Sequence, residues 1–228
     1  MDLEPPLIGS RSIPLDVTLA LSGQGVRSGA RAGERVLAAA RQAVENASNL
    51  LEPRFIRAVA PIVRSTPRAV ELPAAVLEGE MVTAALSGAA HVVAIVCTIG
   101  VALDRRVSSL LATDPLLALA FDGLGSGACE RLAADLCREI EQEAASEGDR
   151  VTGPLSPGMI GWPLRQAQEQ LFALVDPTPI GVVLTSSGQM IPRKTVSFVV
   201  GVGRRVKTQA TCPVCGVRDR CQFRPDHA

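Results

Sequence analysis

The sequence predicts an α+β fold built as one large domain. Its 228 residues are 47% hydrophobic and 20% charged, which is enough to bury a sizeable core. Apolar residues recur at helical spacing in several segments, whereas residues 91–100 form a continuous β-branched run typical of a buried strand. No internal repeat and no long low-complexity linker divides the chain, so we expect a single core of mixed secondary structure.

Four helices and three strands are predicted in the first two thirds of the chain. The helices are expected at 33–53, 73–89, 102–114 and 114–149, with Pro53 ending the first, Pro73 and Pro115 near the starts of the second and fourth, and Gly148 at the end of the fourth. The strands are expected at 54–65, 68–72 and 91–100. Because proline cannot donate a ladder hydrogen bond, Pro61 confines the first strand to an edge or a bulge.

Charge and hydropathy exclude several classes of partner. Twenty-three basic and twenty-three acidic residues cancel, so no overall field draws the chain to nucleic acid or to an anionic membrane. Residues 1–16 lack the pattern of a secretory signal, and no apolar run approaches the roughly 18–20 residues that a membrane helix requires. We therefore expect a cytoplasmic protein with no nucleic-acid or membrane partner, whose six cysteines are thiols or metal ligands rather than disulfides.

The segment "FDGLGSGA" at 121–128 carries a glycine pattern that has two interpretations. It satisfies G-x-G-x-x-A through Gly123, Gly125 and Ala128. A dinucleotide-binding turn would need a strand before it and a second strand ending in an acid after it. Residues on both sides are helix-like, which favours small residues that let one helix pack closely on a neighbour. Cys129 and Cys137, eight residues apart on one helix face, are expected to be buried structural thiols.

A loop rich in glycine and proline follows the long helix and leads into a short helix and a hairpin. The loop residues are Gly153, Pro154, Pro157, Gly158, Gly161 and Pro163. The short helix is predicted at 163–175, with Leu164, Leu171, Phe172 and Val175 turned inward. Residues 180–203 are expected as strand, turn and strand, with the turn at 186–189. Loop amides at a helix N-terminus suit a polar or anionic ligand, and the alternative is a loop and hairpin that merely close a sheet.

The order and spacing of these segments resemble the activation domain of cobalamin-dependent methionine synthase, which binds S-adenosylmethionine, and more closely the free-standing proteins of that family. "LTSSGQMIPRKTVS" at 184–197 matches the family pattern Leu-Thr-x-Ser-x-x-Met-x-Pro and Val-Ser without a gap. "SPG" at 156–158 precedes Trp162-Pro163, as Pro-Gly-Tyr precedes a Pro-led helix in the family. "CTIG" at 97–100 and the Asp122-led helix extend the likeness over residues 13–205.

The resemblance implies one domain over residues 1–205, with a mostly antiparallel central sheet and flanking helices. It also implies a ligand site formed by the loop, the hairpin and the long helix. The residues assigned to that site are Pro157, Gly158, Met159, Trp162, Thr185, Met190, Pro192, Asp122 and Glu130.

Two residues depart from the family pattern at the ligand. Pro154 stands where the family has the arginine that binds the ligand carboxylate, and Met159 stands where it has tyrosine. A guanidinium that pairs bidentately with a carboxylate is a strong charge-assisted contact, and this chain lacks it. We therefore expect weak binding of S-adenosylmethionine, with Arg150 or Arg165 as the residues that would substitute.

The resemblance further implies a role in corrinoid chemistry. The methionine synthase domain caps the cobalamin-binding domain while inactive cob(II)alamin is reduced by one electron and methylated from S-adenosylmethionine. A free-standing relative would act in trans on a corrinoid protein or a cobalamin-dependent methyltransferase, with another protein as a possible electron donor. The cofactor would carry the chemistry, which agrees with a sequence that has only two histidines, His91 and His227, and no evident catalytic constellation. His91 is expected to be a partly buried structural residue.

Residues 206–228 are predicted to be a separate metal-binding tail. Cys212, Cys215 and Cys221 have the spacing C-x2-C-x5-C, which lets three thiolates converge on one centre. A fourth ligand from Cys97, Cys129 or Cys137 would complete an iron–sulfur site, whereas His227 would complete a Cys3His zinc site, and three unligated thiols are the remaining alternative. The cluster is favoured because an electron carrier beside a corrinoid has an evident use.

Two function classes follow from these alternatives. The first is an activator that delivers an electron to a corrinoid protein, and the second is a non-catalytic module that binds such a protein and holds a structural zinc ion.

Overall fold

Helices and strands alternate irregularly along the described part of the chain. A computed structural model describes residues 5–26 and 32–207. In chain order the elements are β1 (Leu7–Ser10), α1 (Val17–Gly23), α2 (Glu34–Asn46), β2 (Arg54–Pro61), β3 (Arg64–Ser65), β4 (Ala69–Glu71), β5 (Val76–Glu78), α3 (Glu80–Ala85), β6 (His91–Thr98), α4 (Ala102–Leu110), α5 (Pro115–Ser146), β7 (Arg150–Val151), α6 (Leu164–Leu174), β8 (Val183–Leu184), β9 (Met190–Ile191) and β10 (Thr195–Gly203), with a 3₁₀ turn at Thr178–Ile180. None of the helices in these two ranges is long and apolar enough to cross a membrane.

Five strands form the central sheet in the order β1-β2-β6-β10-β7, and every neighbouring pair is antiparallel. The predicted buried strand is β6, which lies in the middle of the sheet and pairs with β10 from Thr98 to His91. Strand β2 is internal, but Pro61 lies beyond Arg57, where the pairing with β1 stops. Pro61 therefore has a neighbouring strand on one side only, which is the position that its missing N–H requires.

Alternate residues of the central strands face two separate hydrophobic cores. On the side that we call the helical side, Val93, Ile95 and Cys97 of β6 pack against α1, α2, α4 and α5. On the side that we call the loop side, Val92, Ala94 and Val96 pack against α3, α6, the small sheet β3-β4-β5 and the loop at 152–163. The sheet thus separates a helical layer from a layer of short elements and loops.

Helix α5 runs without a break through the glycine pattern, so the pattern is not a strand-to-helix turn. Asp114 caps its first turn by accepting a hydrogen bond from Leu117 N at 3.0 Å. A Cβ on Gly123 would lie 2.6 Å from the carbonyl oxygen of Ala20, and a Cβ on Gly127 would lie 2.4 Å from that of Leu19. The small residues let α1 and α5 pack backbone to backbone, as the helix-packing interpretation predicts.

The predicted helix at 73–89 is wrong in its first half. Residues 76–78 form β5, and α3 begins only at Glu80. Gly79 separates them with a φ of 150°, which residues with a side chain rarely adopt. A Cβ on Gly79 would also lie 2.6 Å from the carbonyl oxygen of Gly161, so a close approach of the distant loop decides this local structure.

Other boundaries differ in smaller ways. The first predicted helix ends at Asn46, whose side-chain amide donates to the carbonyl of Gln42 at 2.8 Å, rather than at Pro53. The helix predicted at 102–114 ends at Leu110. Residues 180–203 form the small hairpin β8-β9, with the predicted turn at its tip, and then the separate strand β10 of the central sheet. Strands β1 and β7 and helix α1 are absent from the sequence-based prediction.

Candidate functional site

The glycine- and proline-rich loop lies on the loop side and is fastened to β10 at its start. Thr152 Oγ1 accepts a hydrogen bond from Gly201 N at 3.0 Å, and Leu155 exchanges two backbone hydrogen bonds with Val199 at 2.9 and 3.0 Å. Residues 156–162 then fold into a tight turn in which Gly158 N donates to Trp162 O at 3.0 Å. The loop is therefore an ordered part of the fold rather than a loose connection.

Trp162 is a core residue of the loop side. Its side chain is 1% exposed, and its indole Nε1 donates to Gln170 Oε1 of α6 at 2.8 Å. Met159 packs partly buried against the same core, and its sulfur accepts a hydrogen bond from Ser156 N at 3.2 Å. Both residues therefore shape the loop from within, and sequence reasoning missed Gln170 because its partner lies eight residues away on another element.

The loop and the hairpin meet at the start of α6. Leu164 is within van der Waals distance of the loop, since a Cβ atom built on Gly158 would lie 3.7 Å from Leu164 Cδ1. The hairpin tip lies beside Arg165, since a Cβ on Gly188 would be 3.3 Å from the Arg165 Cα. No side chain caps α6 at Pro163, so its first amide groups remain available to a polar or anionic group.

The inward residues predicted for α6 are only partly right. Leu171 and Val175 are buried, and Phe172 is partly buried. Leu164 is exposed, because it lies in the first turn at the rim of the loop. Ala167, Gln168 and Leu174 are the buried residues of α6 that the prediction omits.

The hairpin turns one face inward and one outward. Leu184 pairs with Met190, which packs partly buried on the loop-side core. Thr185 forms the turn, with its N–H donating to Gln189 O at 2.8 Å and its Oγ1 accepting from Gln189 N at 3.0 Å. Val183 and Ile191 pair opposite each other and are exposed. The hairpin therefore presents an exposed apolar pair at the end opposite its turn.

The acidic residues assigned to the site lie on α5, on the other side of the sheet. Asp122 reaches the segment after the hairpin, because its Oδ1 lies 2.7 Å from Lys194 Nζ. Glu130 lies eight residues further along α5, about 12 Å at the helical rise, next to Cys97 and Cys137. The structure thus brings the loop and the tip of the hairpin to the start of α6, connects Asp122 through Lys194 to the segment after the hairpin, and leaves Glu130 apart.

Glu130 is a half-buried carboxyl group with no hydrogen bond or ion pair to the residues that the structure describes. Burial alone raises its pKa, since desolvation disfavours the charged form. A carboxyl whose pKa is higher in the folded than in the unfolded chain reduces stability as the pH rises from the ordinary value through the raised one.

Replacing Glu130 with glutamine is therefore expected to stabilise the protein at neutral pH. A change of 1 kcal/mol moves the melting temperature of a chain of this size by about 2–4 °C, and we expect a rise of up to about 3 °C. The gain should disappear below the ordinary pKa of glutamate, where the wild-type side chain is protonated. Thermal melts of Glu130→Gln between pH 4 and pH 8 test this, with Glu141→Gln on the exposed face of α5 as the matched control. A loss of stability at pH 7 would contradict it.

The predicted metal ligands Cys212, Cys215, Cys221 and His227 lie outside the described residues. Within residues 5–26 and 32–207, no group of three His, Cys, Asp or Glu side chains could hold a metal ion. Cys97 and Cys129 are buried between β6 and α5, as expected of structural thiols, and Cys137 is half-buried.

Two of the described thiols, Cys97 and Cys137, have a raised pKa that favours the protonated form. A hydrogen bond with Cys129, together with burial, raises the pKa of Cys97 well above its ordinary value. Burial and the nearby Glu130 and Glu141 raise the pKa of Cys137 to about 12. Because a thiol must lose its proton to bind a metal, Cys97 and Cys137 are poorly suited to supply a fourth ligand.

Only one of the two arginines considered for a ligand carboxylate lies near the loop and the hairpin. Arg150 lies in β7 and pairs with Gly203, the last residue of β10. The hairpin lies at the other end of β10. Arg165 lies at the start of α6, where its Nε donates to Glu169 at 3.0 Å. Its guanidinium is thus close to the loop but already paired with a carboxylate.

The described chain is a single α+β domain whose antiparallel sheet carries a helical side and a loop side. This fold is similar to the crystal structure of the MetH reactivation domain bound to AdoHcy, with a TM-score of 0.65 and 14% sequence identity over 90% of this chain and 81% of that chain. No family model and no curated protein matches the sequence. The likeness confirms the α+β fold with a mostly antiparallel central sheet that the sequence resemblance implied.

Proposed function

We propose that this protein assists the reductive activation of a corrinoid protein or a cobalamin-dependent methyltransferase. The observation that carries the proposal is the likeness in fold to the MetH reactivation domain over nine tenths of the chain. It agrees with the independent match of the motif at 184–197, which the structure places in the hairpin and the first residues of β10.

The surface around the start of α6 is the best candidate for contact with the corrinoid protein. Four large apolar side chains of the loop, α6 and the hairpin are exposed: Ile160 (60%), Leu164 (47%), Val183 (49%) and Ile191 (47%). We call these four residues the docking face. Exposed apolar side chains on neighbouring segments are typical of a surface that associates with a partner. Beside them, the free amides of the first turn of α6 offer donors to the polar rim of a corrinoid.

A single substitution on the docking face is expected to weaken partner binding. Burying a leucine side chain contributes about 1.5–3 kcal/mol, so Leu164→Glu should weaken binding by about tenfold to a hundredfold. Glutamate suits the first turn of a helix, so the fold should tolerate it. Leu119→Glu on α5 is the matched control, because Leu119 is equally exposed (51%) but lies on the helical side. The measurement is anaerobic binding of each variant to corrinoid proteins in the cob(II) state.

Equal weakening by both variants would contradict the assignment of the docking face. If the wild type binds no corrinoid protein in any oxidation state, the proposed function itself is wrong.

S-adenosylmethionine is the second ligand to consider, because the similar domain binds the related AdoHcy. Pro154 is exposed and carries no charge, and Arg165 would have to leave Glu169 to hold a carboxylate. We expect a dissociation constant weaker than about 1 µM, which corresponds to roughly 8 kcal/mol of binding free energy. Calorimetry with the free protein measures it, and tighter binding would show that another group replaces the missing guanidinium.

The tail decides between the two function classes. An iron–sulfur cluster on Cys212, Cys215 and Cys221 would supply the electron, whereas a zinc ion completed by His227 would make the tail structural and the protein a non-catalytic corrinoid-binding module. Anaerobically purified protein with broad absorbance near 400 nm that dithionite bleaches supports the first class. Colourless protein with one equivalent of zinc supports the second.

A further inference from the structure

The hairpin depends on the four residues that follow it. Its two strands have two residues each, and a hairpin of this size is not stable by itself. Residues 192–195 connect it to the central sheet, and they are held by side chains from outside the hairpin. Arg193 N donates to Asp104 Oδ2 of α4 at 2.8 Å, and the carbonyl of Lys194 accepts from Thr98 Oγ1 at 3.2 Å. The position of the hairpin therefore depends on the anchoring of this short segment, together with the packing of Met190 on the loop-side core.

Lys194 makes the contact between this segment and α5. Its Nζ lies 2.7 Å from Asp122 Oδ1 and donates to Ser126 Oγ at 2.9 Å. The lysine side chain is only 12% exposed and the aspartate side chain 35%. The alkyl chain of Lys194 packs next to Gly125. A Cβ atom at position 125 would lie only 3.3 Å from Lys194 Cγ, so the missing side chain leaves room for the lysine. Asp122, Gly125 and Ser126 thus surround the side chain of Lys194.

We propose that the Lys194–Asp122 ion pair positions the hairpin of the docking face, and that Asp122 acts on this face through Lys194 rather than by contacting a ligand. The carboxylate of Asp122 already has an intramolecular cation at hydrogen-bonding distance. Removing either partner leaves the other as a partly buried charge without compensation, which favours opening of the segment. The importance of this position for partner binding rests on the proposed function, but the anchoring itself does not.

Hydrogen–deuterium exchange of the free, full-length protein tests the anchoring directly. The variants are Lys194→Met, Asp122→Asn and the double variant, and Arg131→Met is the matched control because it removes an exposed ion pair within the same helix. A hydrogen bond to a charged group contributes about 1.5 kcal/mol or more, so the hydrogen-bonded amides within residues 185–193, such as those of Thr185, Gln189 and Arg193, should exchange about tenfold faster in each single variant. The double variant should add little to either single change, because both remove the same interaction. Exchange in β6 and in Arg131→Met should match the wild type.

Three results would overturn the proposal. The first is exchange at 185–193 within twofold of the wild type in Asp122→Asn, which keeps the size of the side chain and is the variant least prone to misfold. The second is faster exchange spread equally over β6 and β10, which would mean general destabilisation. The third is weaker corrinoid-protein binding in Asp122→Asn but not in Lys194→Met, which would make Asp122 a direct contact. Faster hairpin exchange in a protein that binds no corrinoid partner would support the anchoring and reject only the proposed function.

Discussion

Replacing Trp162 with alanine is expected to lower the free energy of unfolding by about 3–5 kcal/mol, the range for a large aromatic side chain removed from a core. Trp162 is almost completely buried between the loop, α6 and Gly79, and its indole is bonded to Gln170. The vacated volume lies under the rigid turn at 156–162, which limits how far the surroundings can collapse. Chemical denaturation followed by circular dichroism measures the loss.

Trp162→Phe is the matched variant for this prediction. It keeps most of the apolar contact and removes the indole N–H, leaving Gln170 Oε1 without that donor, so we expect a loss of about 1–3 kcal/mol. A residue that served mainly to contact a ligand would behave differently. Near wild-type stability in Trp162→Ala, combined with loss of partner binding, would contradict the structural role.

The second large effect is expected at the tail. If Cys212, Cys215 and Cys221 share one metal centre, a single Cys→Ser change at any of them should remove or degrade it, because thiolate is the soft ligand that zinc and iron–sulfur clusters prefer. The fold of the described residues should persist, since both hydrophobic cores are formed within residues 13–206. Any reduction of a cob(II) partner should be abolished, while partner binding remains. Metal content, melting temperature and corrinoid reduction are compared across the three variants.

Cys137→Ser provides the control for the tail. Its thiol is half-buried and its pKa is raised to about 12, so its replacement should leave the metal in place. Metal loss in Cys137→Ser would identify it as the fourth ligand. Full metal retention in all three tail variants would reject the shared centre, and normal corrinoid reduction by metal-free variants would point to an electron supplied directly by another protein.

The parts of the fold that the sequence predicts well are those decided by local chemistry. The buried strand at 91–100 and the long helix from Pro115 were identifiable because a β-branched run and a capped, proline-led start need no distant partner. Helix α1 carries a similar local signal, since Asp16 caps it by accepting from Leu19 N at 2.7 Å, but the helix has only seven residues and its apolar pattern is correspondingly short.

The parts that were not predictable depend on contacts between distant residues. The strand β5 replaces a predicted helix because Gly79 must make room for Gly161. The candidate site also depends on contacts between residues that are distant in sequence. The motif at 184–197 located the hairpin, but no pattern in the sequence pairs Lys194 with Asp122 across 72 positions or Gln170 with Trp162. Local periodicity identifies elements, whereas the anchoring of a site is visible only in three dimensions.

Because the sheet separates two cores, substitutions can accumulate differently on its two sides during evolution. Neighbouring residues of β6, such as Val96 and Cys97, belong to different cores, so substitutions on the two sides have few shared contacts and should act nearly independently on stability. The backbone-to-backbone packing of α1 on α5 leaves the helical side little freedom to vary. The loop side, built from short segments, can accept new side chains without disturbing that packing. Residues on the loop side of the sheet can therefore diversify while the helical side preserves the scaffold.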